Sequence, residues 1–317
     1  MTKYFEASFD IPCGVIQSKV WGKVNGKPVL GLHGWLDNAN TFDKLAPMLP
    51  EDVHFVAIDL PGHGKSSHKP KGVNTYDWVI DIKRVVNQLG WKKFSFLCHS
   101  MGSEYSLLYA GIFPHDVEKI ILLDGFVGGL DMCVDAVDVF AAHAKAMLEV
   151  ASRKNYPDMT DLTTKVFKAF QERFNESSEE TAKNLLSRGV KQVAGGYELA
   201  HDTNLRVPLS TQYGMYSNSL KFRAEDYMSF FRRITSDILM IFMSEFFVKN
   251  ILNHSKQGEK VKLKSGMVFN VLKQNAKVTV RLLPGNHYSH LNNPKIIMPY
   301  LNSFLSYSLL PTTSSKL

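Results

Sequence analysis

Cysteine and long apolar runs are both scarce in this sequence. The three cysteines are Cys13, Cys98 and Cys133, and their spacing matches neither a disulfide framework nor a metal cluster. This usage indicates a reducing compartment. No window of about 18 uncharged apolar residues occurs, so no membrane span is expected. The first residues also lack the basic start and apolar run of a secretory signal.

The charge is moderately basic and evenly spread. The 37 Lys and Arg residues exceed the 30 Asp and Glu residues, which gives a formal net charge of +7. Because the lysines are not massed on one segment and no nucleic-acid motif accompanies them, we interpret them as solvated surface and expect no nucleic-acid partner. No motif implies a metal or an organic cofactor.

The most informative stretch is 94–112, which reads as strand, sharp turn and helix. An apolar run ends at a pentad of small residues centred on Ser100, and apolar residues then recur at helical spacing. A serine at such a turn has an exposed hydroxyl, and the N–H of Met101 lies at the positive end of a helix, which favours an oxyanion. The alternative is an ordinary serine in a βα turn.

The pentad reads C-x-S-x-G, with Cys98 where the usual G-x-S-x-G motif has glycine. Strand and helix pass close together there, so small side chains are required. Cysteine is smaller than any branched aliphatic residue, and we expect it to fit with modest crowding.

Apolar strands and amphipathic helices alternate along much of the chain. Strands are predicted at 16–24 (paired with a preceding edge strand), 28–32, 54–59, 94–98, 119–123, 237–242 and 277–283, and helices at 42–49, 79–89 and 296–305. This rhythm predicts a mostly parallel sheet that is buried on both faces, with active residues at the carboxyl ends of its strands.

Between 126 and 233 the strand pattern stops, and the segment reads as helical throughout. We interpret it as a helical cap inserted after the sixth strand. The predicted organisation is a core in two parts, 1–125 and 234–310, the cap at 126–233, and a flexible tail at 311–317.

Two further strand ends carry candidate site residues. The backbone N–H of Trp35, after the strand at 28–32, would point where an oxyanion hole needs its second donor. His287 follows the last strand, where a base could reach Ser100, with His290 as the fallback. His63, between two glycines, is interpreted as structural.

Taken together these motifs resemble the α/β-hydrolase fold, and more closely the serine hydrolase-like (kraken) family. The matching motifs are LHGWLDN at 32–38, GHGxSS at 62–67, ILLD at 121–124 and PGNH at 284–287. The resemblance implies an α/β fold with a mostly parallel eight-stranded sheet flanked by helices. It also implies Ser100 as nucleophile, His287 as base, and the backbones of Trp35 and Met101 as the oxyanion hole.

The resemblance leaves two choices for the acid. Most α/β-hydrolases carry an aspartate after the strand that here ends at Phe242, but this loop offers only Glu245. Asp124, at the end of the preceding strand, is the position that a minority of related enzymes use. We expect Asp124 to be the acid and keep Glu245 as the second choice.

The expected activity is that of a serine hydrolase that cleaves a carboxylic ester of a small-molecule acyl substrate through an acyl-enzyme on Ser100. A thioesterase or lipase-like enzyme is the alternative of the same chemistry. A hydrolase-fold ligand-binding protein with little turnover is the alternative of another class. Sister enzymes that open epoxides or displace halide need a carboxylate nucleophile, so Ser100 argues against both.

The sequence ends in Ser315, Lys316 and Leu317, the tripeptide that the peroxisomal import receptor reads. The expected location is therefore the peroxisome, with the cytoplasm as a second location. A peroxisomal location would make fatty-acyl esters or acyl-CoA thioesters plausible substrates.

Overall fold

The computed structural model describes residues 4–69, 75–125, 155–174, 178–203, 205, 224–244 and 268–306. An eight-stranded sheet forms its centre, in the order β1-β2-β4-β3-β5-β6-β9-β10. The strands are β1 (Phe5–Ile11), β2 (Gly14–Gly22), β3 (Lys27–Leu32), β4 (Val53–Ile58), β5 (Phe94–His99), β6 (Val117–Leu123), β9 (Asp237–Phe242) and β10 (Val278–Leu282). The pairs β1–β2 and β2–β4 are antiparallel, and the other five neighbouring pairs of the sheet are parallel. The predicted fold class and its antiparallel edge pair are confirmed.

The central strands are apolar because both of their faces are covered. Every residue of β4 and β5 is buried. Successive side chains of β5 point to opposite faces, as strand geometry requires. Phe96 and Cys98 lie in the apolar cluster on one face, and Leu97 lies in the cluster on the other. The carboxyl ends of these strands therefore meet at one edge of the sheet, where the candidate residues lie.

The helices connect and cover the strands. They are α1 (Thr75–Gln88), α2 (Met101–Ile112), α3 (Met159–Phe174), α4 (Glu179–Gly189), α5 (Ala224–Phe231), α6 (Ser289–Asn292) and α7 (Met298–Ser306), and residues 268–275 are also helical. Of the helices in these ranges, none has the length and apolar character needed to cross a bilayer.

The helix predicted at 42–49 is wrong. The chain there forms two separate 3₁₀ turns, Ala39–Phe42 and Ala46–Met48. Pro47 lies inside the stretch, and proline removes a helical hydrogen bond and clashes with the preceding turn. The apolar residues of the segment, Phe42 and Leu45, are nevertheless fully buried.

The segment 126–233 is not helical throughout. Its described part contains α3, α4 and α5, but also a hairpin of β7 (Val190–Val193) and β8 (Gly196–Leu199). Gly195 and Gly196 have φ values of +80° and +136°, a backbone region that favours glycine and allows the tight turn. The predicted boundaries of the cap stay a prediction.

Helix α4 is fastened to the core by paired amides. Asn40 Nδ2 donates to the carbonyl of Asn184 at 2.8 Å, and Asn184 Nδ2 donates back to the carbonyl of Asn40 at 2.8 Å. Asn38 Nδ2 donates to the carbonyl of Leu185 at 2.9 Å. These bonds hold α4 over the loop that follows β3.

A buried ion pair adds to this attachment. Arg188, at the end of α4, donates through Nε to Asp59 Oδ2 at 2.7 Å and through Nη1 to Glu6 Oε1 at 2.7 Å. The side chains of Arg188 and Asp59 are 2% and 0% exposed, so water screens this pair little. Asp59 also accepts the backbone N–H groups of Ala39 and Lys65.

Candidate active site

Ser100 lies on a strained turn between β5 and α2. Its φ of +50° and ψ of −117° are rare for a residue with a side chain. The turn is possible because glycines flank it. A Cβ on Gly102 would lie 2.4 Å from the Leu32 carbonyl oxygen, and one on Gly125 would lie 2.3 Å from the Ser100 carbonyl oxygen.

Cys98 fits inside the strand. It pairs with Leu32 on β3 and Leu122 on β6, so the sheet continues through this position. Its side chain is fully buried in an apolar cluster. Burial raises the pKa of the Cys98 thiol, although a hydrogen bond with Ser106 opposes the shift. The thiol is therefore a packing group, and the sharp turn at Ser100 forms although position 98 is not glycine.

Three of the predicted site residues form one hydrogen-bonded line. His287 Nε2 lies 3.0 Å from Ser100 Oγ, and His287 Nδ1 lies 2.7 Å from Asp124 Oδ2. Asp124 Oδ1 accepts the backbone N–H groups of Met243 at 2.7 Å and Ser244 at 2.9 Å. The line therefore joins the ends of β5, β6 and β9 and the loop after β10.

Burial and hydrogen bonding tune the two titratable groups of this line. Burial alone would raise the pKa of Asp124, but hydrogen bonds from His287, Met243 and Ser244 bring it below its ordinary value of 3.8. Burial lowers the pKa of His287 below its ordinary 6.5, even though the bond to Asp124 works in the other direction. At neutral pH the carboxyl is therefore ionised and the imidazole neutral.

The two expected oxyanion donors lie on turns beside Ser100. Met101 is the first residue of α2, where a backbone N–H has no acceptor within the helix. Trp35 lies in a tight turn in which Asp37 N donates to the Gly34 carbonyl at 3.2 Å. A Cβ on Gly34 would lie 2.9 Å from His99 Nδ1, so the turn packs directly against the residue before Ser100.

Comparison with known proteins agrees with this fold. Residues 27–245 match the family model described as the alpha/beta hydrolase fold. A serine hydrolase-like protein of Danio rerio is 30% identical over 98% of this chain and 91% of its own length. Serine hydrolase-like protein 2 of Homo sapiens is 32% identical over 95% and 93% of the two chains. The chain belongs to the α/β-hydrolase family, among the serine hydrolase-like proteins.

These matches confirm the predicted resemblance, and a solved structure extends the comparison of the fold. A hypothetical protein of Pseudomonas aeruginosa PAO1 superposes on this hydrolase with a TM-score of 0.76 and 27% sequence identity. The match covers 95% of this chain and 99% of that chain.

Sequence reasoning missed a second network behind the first. His99 Nδ1 lies 3.2 Å from Asp37 Oδ2, and His99 Nε2 lies 3.0 Å from the carbonyl oxygen of His287. Tyr288 donates its hydroxyl to Asp37 Oδ1 at 3.1 Å. The available signal was a histidine at the end of an otherwise apolar buried strand, because a buried polar group needs a partner.

The other candidate histidines of the hydrolase have different partners. His290 Nε2 lies 2.8 Å from Thr41 Oγ1, so the fallback base bonds that hydroxyl. His63 is fully buried, with its ring 4.8 Å from the ring of His33 and 5.7 Å from that of Trp78. Within the described ranges, no group of three or more His, Cys, Asp or Glu side chains is arranged to hold a metal ion.

A cavity of about 500 Å³ opens between the core and the described part of the cap. Its lining is mostly apolar, and half of the lining residues come from α3 and α4. The residues that line it are Leu36, Asp37, Asn38, Gly64, Tyr156, Lys165, Val166, Ala169, Phe170, Leu185, Leu186, Gly189, Leu199 and His201. Ser100 is not among them, but Asp37, which bonds the neighbouring His99, is.

Two predicted elements lie outside the described residues. One is Glu245, the second choice for the acid. The other is the C-terminal tripeptide Ser315, Lys316 and Leu317. The peroxisomal location and the import receptor as partner therefore stay predictions.

Proposed function

We propose that this hydrolase cleaves a carboxylic ester through an acyl-enzyme on Ser100. The observation that carries the proposal is the hydrogen-bonded line from Asp124 through His287 to Ser100 Oγ. Such a line is the minimum that a hydroxyl needs to act as a nucleophile at neutral pH.

Acylation of Ser100 is the first half of the reaction. His287 Nε2 takes the proton of Ser100 as Oγ attacks the ester carbonyl carbon. The carbonyl oxygen becomes an oxyanion, which the backbone N–H groups of Trp35 and Met101 stabilise. The tetrahedral intermediate then collapses, and His287 gives its proton to the departing alcohol.

Deacylation repeats the cycle with water. His287 removes a proton from water as the oxygen attacks the acyl carbon bound to Ser100. Collapse of the second intermediate releases the carboxylic acid, and His287 returns the proton to Ser100 Oγ. The serine and the imidazole end in their starting states, so no other reactant is consumed.

Asp124 sets the tautomer that both steps require. Its Oδ2 accepts the proton on His287 Nδ1, which leaves the lone pair of Nε2 facing Ser100 Oγ. The backbone N–H groups on Oδ1 fix the carboxylate and keep it ionised. The imidazolium that forms after proton transfer is stabilised by the same charge.

The cavity supports an apolar acyl group as the bound part of the substrate. Its apolar lining includes Val166, Ala169 and Phe170 of α3 and Leu185 and Leu186 of α4. Burying an acyl chain against such side chains gains about 0.8 kcal/mol for each methylene. We therefore propose acyl esters with an aliphatic chain as the preferred substrate class.

A fluorophosphonate probe tests the nucleophile directly, because the probe reacts only with an activated serine. We expect wild-type protein to be labelled and Ser100→Ala to remain unlabelled. Ser236→Ala is the matched control, since Ser236 is a buried serine that bonds the Val117 carbonyl at the opposite end of the strands. This control should be labelled like the wild type.

Turnover of p-nitrophenyl esters of increasing chain length gives the second readout. Ser100→Ala should lose at least about 10⁴-fold in kcat while its thermal unfolding stays cooperative. Unchanged labelling or hydrolysis in Ser100→Ala would contradict the assignment. A folded wild type that neither reacts nor turns over acyl esters or thioesters would instead support a ligand-binding protein.

A further inference from the structure

Each of the two ring nitrogens of His99 lies within hydrogen-bond distance of an oxygen atom. The first is a carboxylate oxygen of Asp37, 3.2 Å from Nδ1. The second is the backbone carbonyl oxygen of His287, 3.0 Å from Nε2. A carbonyl oxygen cannot donate, so Nε2 must carry a proton. If Asp37 is ionised it cannot donate either, and Nδ1 then carries a second proton.

The arrangement around Asp37 favours the ionised carboxylate. Tyr288 donates its hydroxyl to Oδ1 at 3.1 Å, and His99 faces Oδ2. Each carboxylate oxygen therefore has a donor. Donors on both oxygens stabilise the ionised form of a carboxylate, so we assign the shared proton to the ring of His99.

We propose that His99 is a positioning residue, held as an imidazolium by Asp37. It fixes two segments relative to Ser100: the loop that carries His287, here called the base loop, and the turn that carries Trp35, here called the oxyanion turn. The positioning role rests on the proposed esterase function. The protonation state does not, because it is argued from the hydrogen-bond partners of His99 and Asp37 and not from the chemistry at Ser100.

The pair contacts the loop that carries His287 and the turn before Trp35, and His99 precedes Ser100 in the chain. His99 is the residue before Ser100, and its Nε2 holds the carbonyl of His287. The Gly34 backbone packs against both partners, since a Cβ there would lie 2.9 Å from His99 Nδ1 and 3.0 Å from Asp37 Oδ2. With His99 at 0% and Asp37 at 3% exposure, the pair is shielded from water. A shielded pair is more rigid than an exposed one and keeps donors aimed without reorganisation.

The charge also has an electrostatic consequence for the base. The ring centroid of His99 lies 4.7 Å from the ring centroid of His287 and 4.0 Å from that of His290. The titratable groups that face His99 are Asp37 and His33 from the β3 end, and His287, Tyr288 and His290 from the C-terminal loop. Burial is the main cause of the lowered pKa of His287, and the charge of His99 lowers it further, whereas Asp124 and Asp37 act in the opposite direction. A charged His99 therefore adds to the effect of burial in keeping His287 neutral and able to act as a base.

Nitrogen-15 NMR of the histidine side chains in the full chain tests the protonation state. We expect one histidine of the wild type to show two protonated ring nitrogens at neutral pH, and His99→Gln to lose that signal. Asp37→Asn should convert it to a neutral ring, since an asparagine N–H can donate to Nδ1 while its oxygen accepts from Tyr288. His290→Gln, which removes the ring stacked on His99, should leave the signal in place.

The pH dependence of ester hydrolysis tests the positioning role. His99→Gln removes the positive charge and leaves the carboxylate, so the acid limb of kcat/KM should shift to higher pH. We also expect kcat to fall about tenfold or more, because the base loop loses its anchor. A merely structural role would lower activity without moving the acid limb.

A wild-type His99 with one unprotonated ring nitrogen would overturn the proposal, as would an unmoved acid limb in a folded His99→Gln. The two proposals fail separately. If the wild type shows the imidazolium but neither fluorophosphonate labelling nor turnover, the esterase assignment and the positioning role are both wrong, and the charged pair remains.

Discussion

Replacement of Asp124 by asparagine separates the proposed chemical role of this residue from its structural role. Asparagine has the same shape, and its side-chain oxygen can still accept the N–H groups of Met243 and Ser244. The amide N–H₂ then faces His287 Nδ1, which must accept instead of donate. The imidazole proton moves to Nε2, and Nε2 can no longer take the proton of Ser100.

The expected magnitude follows from this tautomer change. A Ser–His–Asp site that loses the carboxylate but keeps its geometry loses about 10⁴-fold in kcat. Stability should change little, because asparagine also tolerates the φ of +43° at this position. Alanine, in contrast, should destabilise the protein. It would leave the N–H groups of Met243 and Ser244 buried without acceptors, which costs about 1–3 kcal/mol each.

The assay compares Asp124→Asn, Asp124→Ala and Glu245→Gln by p-nitrophenyl ester turnover and urea unfolding. We expect the first variant to be folded and inactive, the second to be destabilised and inactive, and the third to match the wild type. If Asp124→Asn keeps more than a tenth of the wild-type kcat while Glu245→Gln is inactive, the choice of Asp124 as the acid is wrong.

Three further predictions follow from buried charges and thiols. Burial lowers the pKa of His287, so as the pH falls the imidazole is protonated in the unfolded chain before it is protonated in the folded protein. The free energy of unfolding should therefore decrease below about pH 6.5, the ordinary pKa of histidine, as urea titrations can show. The value of kcat/KM should also decrease in this acidic range, as a pH–rate profile can show. Arg188→Met should lower the free energy of unfolding by about 3–5 kcal/mol in urea, because it leaves Asp59 buried without its ion-pair partner. Lys183→Met should change it little, because the pair that Lys183 forms with Glu179 on the same helix is exposed. Equal effects would contradict a stabilising role of the buried pair. Iodoacetamide should modify the exposed Cys13 and spare the buried Cys98 in native protein, as read by mass spectrometry.

The parts of the fold that short-range patterns determine could be predicted from the sequence. The apolar run before Ser100 and the glycine after it specify a strand and a tight turn without reference to the rest of the chain. His287 could be predicted because the carboxyl ends of parallel strands converge at one edge of a sheet. The choice of Asp124 needed a resemblance, and the structure adds the bonds that would hold it in that role.

Other features depend on contacts or on turn chemistry that periodicity does not report. The apolar spacing at 42–49 predicts a helix, but Pro47 interrupts it. The glycine pair at 195–196 is a hairpin signal that the helical interpretation of the cap overlooked. The pairing of His99 with Asp37 joins residues 62 positions apart, and no local pattern shows which carboxylate a buried histidine will meet.

The sequence distance between Ser100 and His287 affects when activity can arise. The two residues are 187 positions apart, and the loop that carries His287 is held by the last strand of the sheet. A chain still emerging from the ribosome can form most of the sheet while it lacks a base. We therefore expect fluorescence of the core to recover before esterase activity during refolding, since contacts between distant parts of a chain form slowly. Newly made protein would stay inert until the segment that carries His287 has been synthesised and has joined the sheet.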